Sequence, residues 1–234
     1  MKIVYLVLLV ALFPLIGFAQ EDSSTKSDFS YKIGDFFLGI GSGVDHNINA
    51  YRSEPTTDFS FEGIESRYNI SFDASVMATK RWRPRIELQY HRLAYGQDWD
   101  GWQSVDYTTF EYTTTRVNYL GLNLHMDYLL LGLNSRFKVF VSPGLVTEYA
   151  TGASYKTLKT DGDDSDSKFS VLGEYYPKCI AGASVQTIFK YDFSENIGFT
   201  VSPGYTRFFR TFTDASSDPY QRFNINLGLE LRIH

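Results

Sequence analysis

Cysteine is almost missing from this chain: Cys179 is the only one among 234 residues, so no internal disulfide can form and the thiol reads as a small apolar wall residue. Cationic excess is missing as well. A formal net charge of −5 excludes a basic nucleic-acid-binding surface. Beyond the first twenty residues no apolar run approaches the ~20 residues that a membrane-spanning helix needs, and sustained helical periodicity is absent.

The only long apolar run opens the chain. Lys2 is followed by apolar residues 3–12, then Pro14 and Gly17 break the run ahead of Phe18 and Ala19. This layout predicts a secretory signal peptide over 1–19, with the mature chain starting near Gln20. No cysteine follows that cut, which argues against a lipid-anchored lipoprotein. Residues 20–34 are polar and Ser-rich and read as a flexible lead-in. Residues 35–234 are then one all-β domain, as the 17% aromatic content together with abundant Gly, Thr, Ser and Asn suggests.

The last stretch shows the pattern most plainly. Phe223, Ile225, Leu227, Leu229, Leu231 and Ile233 alternate with Asn224, Asn226, Gly228, Glu230 and Arg232, a period of two that defines a strand with one apolar and one polar face. Seven earlier stretches repeat it. Leu38 and Ile40 alternate with Gly39 and Gly41, Ile70 and Phe72 with Ser71 and Asp73, and Ile86 and Leu88 with Glu87 and Gln89. Leu122 and Leu124 alternate with Asn123 and His125, Val139 and Val141 with Lys138 and Ser142, Ala181 and Ala183 with Gly182 and Ser184, and Phe199 and Val201 with Gly198 and Thr200. Residues 49–67, 95–112, 151–175 and 211–220 read as long loops, and they alternate with short turns near 80–84, 132–135 and 192–196.

Each stretch spans about ten residues, near the 9–11 that cross a bilayer when tilted. Aromatics gather at the stretch ends: Trp82, Phe137 and Phe193 near the short turns, and Tyr90, Tyr149, Tyr205, Phe208 and Phe209 near the long loops. A soluble barrel of lipocalin type is the rival architecture. Glycines share a face with the charges, and a narrow interior favours small residues beside long ones, so the polar face is expected inside.

In these features the chain resembles the small eight-stranded outer-membrane β-barrels, the OmpA/OmpX-like families, over residues 35–234. The resemblance implies an eight-stranded antiparallel up-and-down transmembrane β-barrel in the outer membrane of a Gram-negative bacterium. Both termini and the lead-in would be periplasmic and four long loops external. Outer-membrane lipid, lipopolysaccharide, the outer-membrane assembly machinery and a larger envelope complex are the implied partners. The chain ends Arg232-Ile233-His234, where many such proteins end in an aromatic residue.

The predicted interior carries Asp45, Asp73, Glu87, His91, His125, Asp127, Lys138, Glu148, Lys190, Glu230 and Arg232. Among these, Lys138, Lys190 and Arg232 against Glu87, Asp127 and Glu230 form an expected ionic network near the turn end, because buried charges must pair or hydrate. Two readings follow: a structural plug, or the gate of a narrow porin-like channel. His91 and His125 raise a third, a lipid A-modifying enzyme, but no serine and carboxylate can be assigned to either by spacing, and no enzyme and no cofactor are expected. Asp161, Asp163, Asp164 and Asp166 are weak metal candidates, since the loop lacks the EF-hand glycine and glutamate. Trp99 and Trp102 are candidate contacts for a partner or ligand. The recurring Val-Ser-Pro-Gly at 141–144 and 201–204 predicts a bend or bulge in each strand. The expected role is structural, adhesive or accessory to a complex.

Overall fold

The structure, a computed structural model, describes residues 29–48, 68–103, 109–159, 165–169, 178–210, 219 and 221–233. Nine strands form: β1 (Phe36–Ile48), β2 (Tyr68–Val76), β3 (Trp82–Gln103), β4 (Thr109–Leu131), β5 (Phe137–Lys159), β6 (Ser165–Phe169), β7 (Cys179–Asp192), β8 (Ile197–Phe208) and β9 (Gln221–Ile233). The predicted signal peptide and the lead-in up to residue 28 lie outside the described residues.

Alternating sequences give amphipathic strands, and eight of them close on themselves. The order is β4-β3-β2-β1-β9-β8-β7-β5, with β5 paired back to β4, and every pairing is antiparallel. Closure removes the free edges that an open sheet would expose. β9 sits between β1 and β8, paired with β1 without a break from Phe36↔Ile233 to Ile48↔Gln221. The short β6 stands outside this ring. It pairs with β5 at Ala153–Thr157, beyond the stretch of β5 that pairs with β7.

Short turns join strands at one end. Gly132 there has φ +87°, and a Cβ would stand 1.9 Å from the Phe137 carbonyl oxygen, so the turn requires glycine. The opposite end departs from the sequence reading. Residues 95–112 and 151–175 were expected to loop, yet β3 runs to Gln103, β4 starts at Thr109, β5 runs to Lys159 and β6 adds a further partner. The Thr- and Tyr-rich sequence of these extensions favours strand and keeps the ladder going.

The prolines differ from expectation too. Pro143 holds register with β7 at Val185 while the β4 ladder skips from Gly144 to Val141, and Pro203 holds register with β9 at Ile225 while the β7 ladder skips from Gly204 to Val201. Neither position shifts register. Each proline simply withholds its missing N–H on one side. The lead-in also changes character at its end: Tyr31, expected in a flexible segment, is only 5% exposed and packs with Phe37, Met77, Leu129, Phe140 and Ile188. An aromatic in a polar stretch finds its burial in the turn-end mouth.

Candidate functional site

The inward positions of the alternation fill the lumen with charge. At the turn end the centre is Arg83, whose side chain is 1% exposed. Its guanidinium donates to Asp127 at 3.0 and 2.9 Å and to Glu230 at 2.7 Å. Arg85 joins it through Glu87 at 2.7 Å, Asp127 at 3.2 Å, the Gln186 amide oxygen at 2.9 Å and the Ser142 hydroxyl at 3.2 Å. Ser142 in turn donates to Asp127 at 2.5 Å. Asp127 thus receives two arginines and a hydroxyl, which compensates the cost of burying it.

Below this centre Lys190 donates to Glu230 and lies 3.3 Å from Asp192, and Lys138 donates to Asp192 at 2.6 Å. Arg232 reaches Asp35 and the Ser30 carbonyl. Tyr31 closes the mouth, donating to Asp192 at 3.1 Å. Its ring meets the Phe37 edge at 4.9 Å and lies beneath Lys138 at 4.4 Å, Lys190 at 4.9 Å and Arg232 at 5.0 Å. Arg83 lies 4.5 Å over the Phe140 ring, so aromatic faces take up the cations' remaining exposure. Burial, with Glu230 and Asp192 nearby, holds the Tyr31 hydroxyl well above the ordinary tyrosine range.

A second cluster occupies the loop side. His91 bonds Glu148 at 2.7 Å, stands 3.6 Å from Asp45 and stacks on Tyr119 at 5.1 Å. Arg222 pairs with Glu148 at 2.6 Å and reaches the His91 ring at 3.0 Å. Against the Arg83 centre lies a polar cavity of about 40 Å³ lined in part by Arg83, Arg85, Glu230, Asp73, Thr200 and Asn226, room for about three waters. The Asn226 amide oxygen and both ring nitrogens of His125 have no protein partner.

The outer wall is the inverse of the lumen. Phe72 is 56% exposed, Leu122 51%, Leu145 59% and Leu229 53%, while Asp127 and Lys138 are sealed. Trp82, Tyr128 and Phe193 ring the turn end, and Tyr149, Phe209 and Phe223 ring the other. From Phe223 to Ile233, at about 3.3 Å per residue and a tilt of about 40°, the apolar face rises about 25 Å, the height of a membrane band. The chain has the architecture of the small eight-stranded outer-membrane β-barrels.

No protein-family model matches this chain, and no curated protein matches it in sequence. Among solved structures it is similar to a major outer membrane protein from Thermus thermophilus, at 12% identity and TM-score 0.48 over 86% of this chain and 100% of that one. It is also similar to the outer membrane protein OprG from Pseudomonas aeruginosa, at 13% and 0.47 over 88% and 98%. A third is Ail, the attachment invasion locus protein of Yersinia pestis, at 9% and 0.45 over 86% and 100%.

The structure places Glu87, Asp127, Lys138, Lys190, Glu230 and Arg232 in the barrel lumen. It brings them together differently from the sequence reading: only Lys190 and Glu230 pair directly, while Arg83, Arg85, Asp35 and Asp192 supply the other partners. Arg83 falls within the short turn expected near 80–84 and Arg85 just after it, yet their odd numbering shares the inward parity of Glu87. Phe208, expected at the loop-side girdle, points inward beneath Arg222. Trp99 and Trp102 lie on the β3 extension with their side chains outside the described residues. Asp161, Asp163, Asp164 and the side chain of Asp166 fall outside them as well. Among the described residues no group of ligands fit for a metal occurs.

Proposed function

We propose that this barrel is a closed membrane anchor that carries an extended sheet beyond the bilayer for structural, adhesive or complex-accessory contact. The observation that carries the reading is the contrast between the two ends. The turn end is sealed by Tyr31 and the Arg83–Asp127–Glu230 centre, while β3, β4, β5 and β6 continue past the girdle as a paired sheet. Both termini then face the periplasm and the extended sheet faces outward. A narrow channel is the second reading, favoured by the polar cavity. A lipid-modifying enzyme is the third reading; His91 is held by Glu148 and Arg222, and altered lipid A in cells carrying the protein, read by mass spectrometry, would favour it.

The test is chemical crosslinking on whole cells followed by purification of the barrel, with the intact chain and with a chain shortened across residues 155–172. A partner captured by the intact chain and lost from the shortened one, with both forms inserted in the membrane, supports the platform. Equal capture by both forms refutes it.

A further inference from the structure

Every strand carboxylate whose side chain is described faces the lumen, yet not every arginine does. Arg92 follows Leu88 and Tyr90 on the outer face of β3, and Arg116 lies on the outer face of β4 above Leu120. Arg92 is opposite Asn118, and Arg116 is opposite Ala94, so the two arginines are diagonal neighbours on adjacent strands. Their height is the last turn of the apolar wall, where Tyr90 and Tyr68 stand with rings 6.3 Å apart. This is the level of lipid headgroups at the loop end.

The pair is partly built and partly open. Arg92 Nε donates to the Asn118 side-chain oxygen at 2.9 Å, and its guanidinium lies 5.5 Å over the Tyr68 ring. That orients the fork and leaves its terminal amino groups available. Arg116 is half-buried, and its Nε is a buried donor without a hydrogen-bond partner among the described residues. Neither arginine forms an ion pair among the described residues. In a chain that pairs its buried cations inside so thoroughly, two arginines without a carboxylate on a lipid-facing wall call for an anion from outside the protein. Guanidinium forks match the oxygens of a phosphate.

We propose that Arg92 and Arg116 clamp the phosphorylated headgroup of a lipid in the leaflet at the loop end, with Asn118 and Tyr68 fixing the Arg92 fork. The assignment of that leaflet as the outer one rests on the orientation given above. The test is native mass spectrometry of the folded barrel released from neutral detergent, offered diphosphoryl lipid A, the same lipid with its phosphates removed, or inorganic pyrophosphate.

Wild type is expected to retain the phosphorylated lipid, R92Q/R116Q to bind it about tenfold or more weakly, and R207Q, on the opposite wall, to match wild type. Heat-modifiable migration shows which variants fold. R116Q alone, which removes no hydrogen bond or ion pair seen among the described residues, serves if the double variant does not. Retention by the arginine variants within about twofold of wild type, equal binding of the dephosphorylated lipid, or displacement of the lipid by equimolar pyrophosphate would overturn the clamp. An epitope tag inserted within residues 160–164 and read on intact cells tests the orientation separately. A hidden tag with retained lipid A defeats the platform and leaves the clamp, and a displayed tag with no lipid A does the reverse.

Discussion

Replacing Arg83 by Met removes the cation at the centre of the lumen, together with its place over the Phe37 and Phe140 rings, and leaves an unbranched apolar side chain there. Asp127 then retains Arg85 and Ser142, and Glu230 retains Lys190, but each loses its bonds to Arg83 in a space without bulk water. Breaking a buried pair from one side costs about 3–5 kcal/mol. Asp127 and Glu230 both lose a partner here, so R83M is expected in the upper half of that range. Neutralising Glu230 as well should recover part of the loss, because one of the two stranded charges is gone. The assay is urea unfolding of the barrel in phospholipid vesicles, followed by tryptophan fluorescence for wild type, R83M, E230Q and the double variant. A coupling of about 1–3 kcal/mol between the two sites is expected, within the range for residues in one network. Additive losses below about 0.5 kcal/mol, as for hydrated surface pairs, would show that water reaches this centre and would refute the sealed lumen.

Gly144→Ala should destabilise by about 1–3 kcal/mol through overpacking, because its Cβ would stand 2.3 Å from His125 Nδ1 and 2.7 Å from the Leu124 carbonyl oxygen; His125→Ala should relieve the side-chain part of that clash, measured by the same unfolding. Tyr31 ionises at higher pH in the folded chain than unfolded, so its contribution is complete below about pH 10 and is lost as pH rises through the raised value. Wild type should therefore show an alkaline loss of turn-end protection from limited proteolysis of the lead-in, and Y31F should lack that step. Gly132→Ala should cost about 1 kcal/mol or more, since φ +87° is strained for any residue with a Cβ. Its thermal midpoint for loss of heat-modifiable migration should fall.

What could be read in advance was the wall. β9 alternates without a fault, so its apolar and polar faces follow from the order of residues alone. The lumen composition followed from the same parity, down to His125 behind Gly144. Pairing did not, because Arg83 meets Glu230 across the barrel from strands far apart in sequence, and which inward side chains share a level depends on the stagger of the closed sheet. Arg85 and Arg83 were hidden by their neighbours: a run of Lys80, Arg81 and Arg83 around Trp82 looks like a basic turn until the parity of Glu87 is carried back through it. Tyr31 gave no periodic signal, since an aromatic in a polar stretch acquires a partner only when the barrel mouth exists. The long β3 to β5 extensions were missed because apolar–polar alternation is the strand signal, and residues 95–103, 109–115 and 151–159 do not sustain it.

Single-channel recording of the purified barrel in a planar bilayer tests the sealed anchor most directly. No conductance steps above the bare membrane are expected from the wild-type chain, and steps are expected only when the plug is breached, as in Tyr31→Ala combined with R83M. Sustained steps from wild type, altered in size by Glu230→Ala or Lys138→Ala, would contradict a closed lumen and establish the channel in its place.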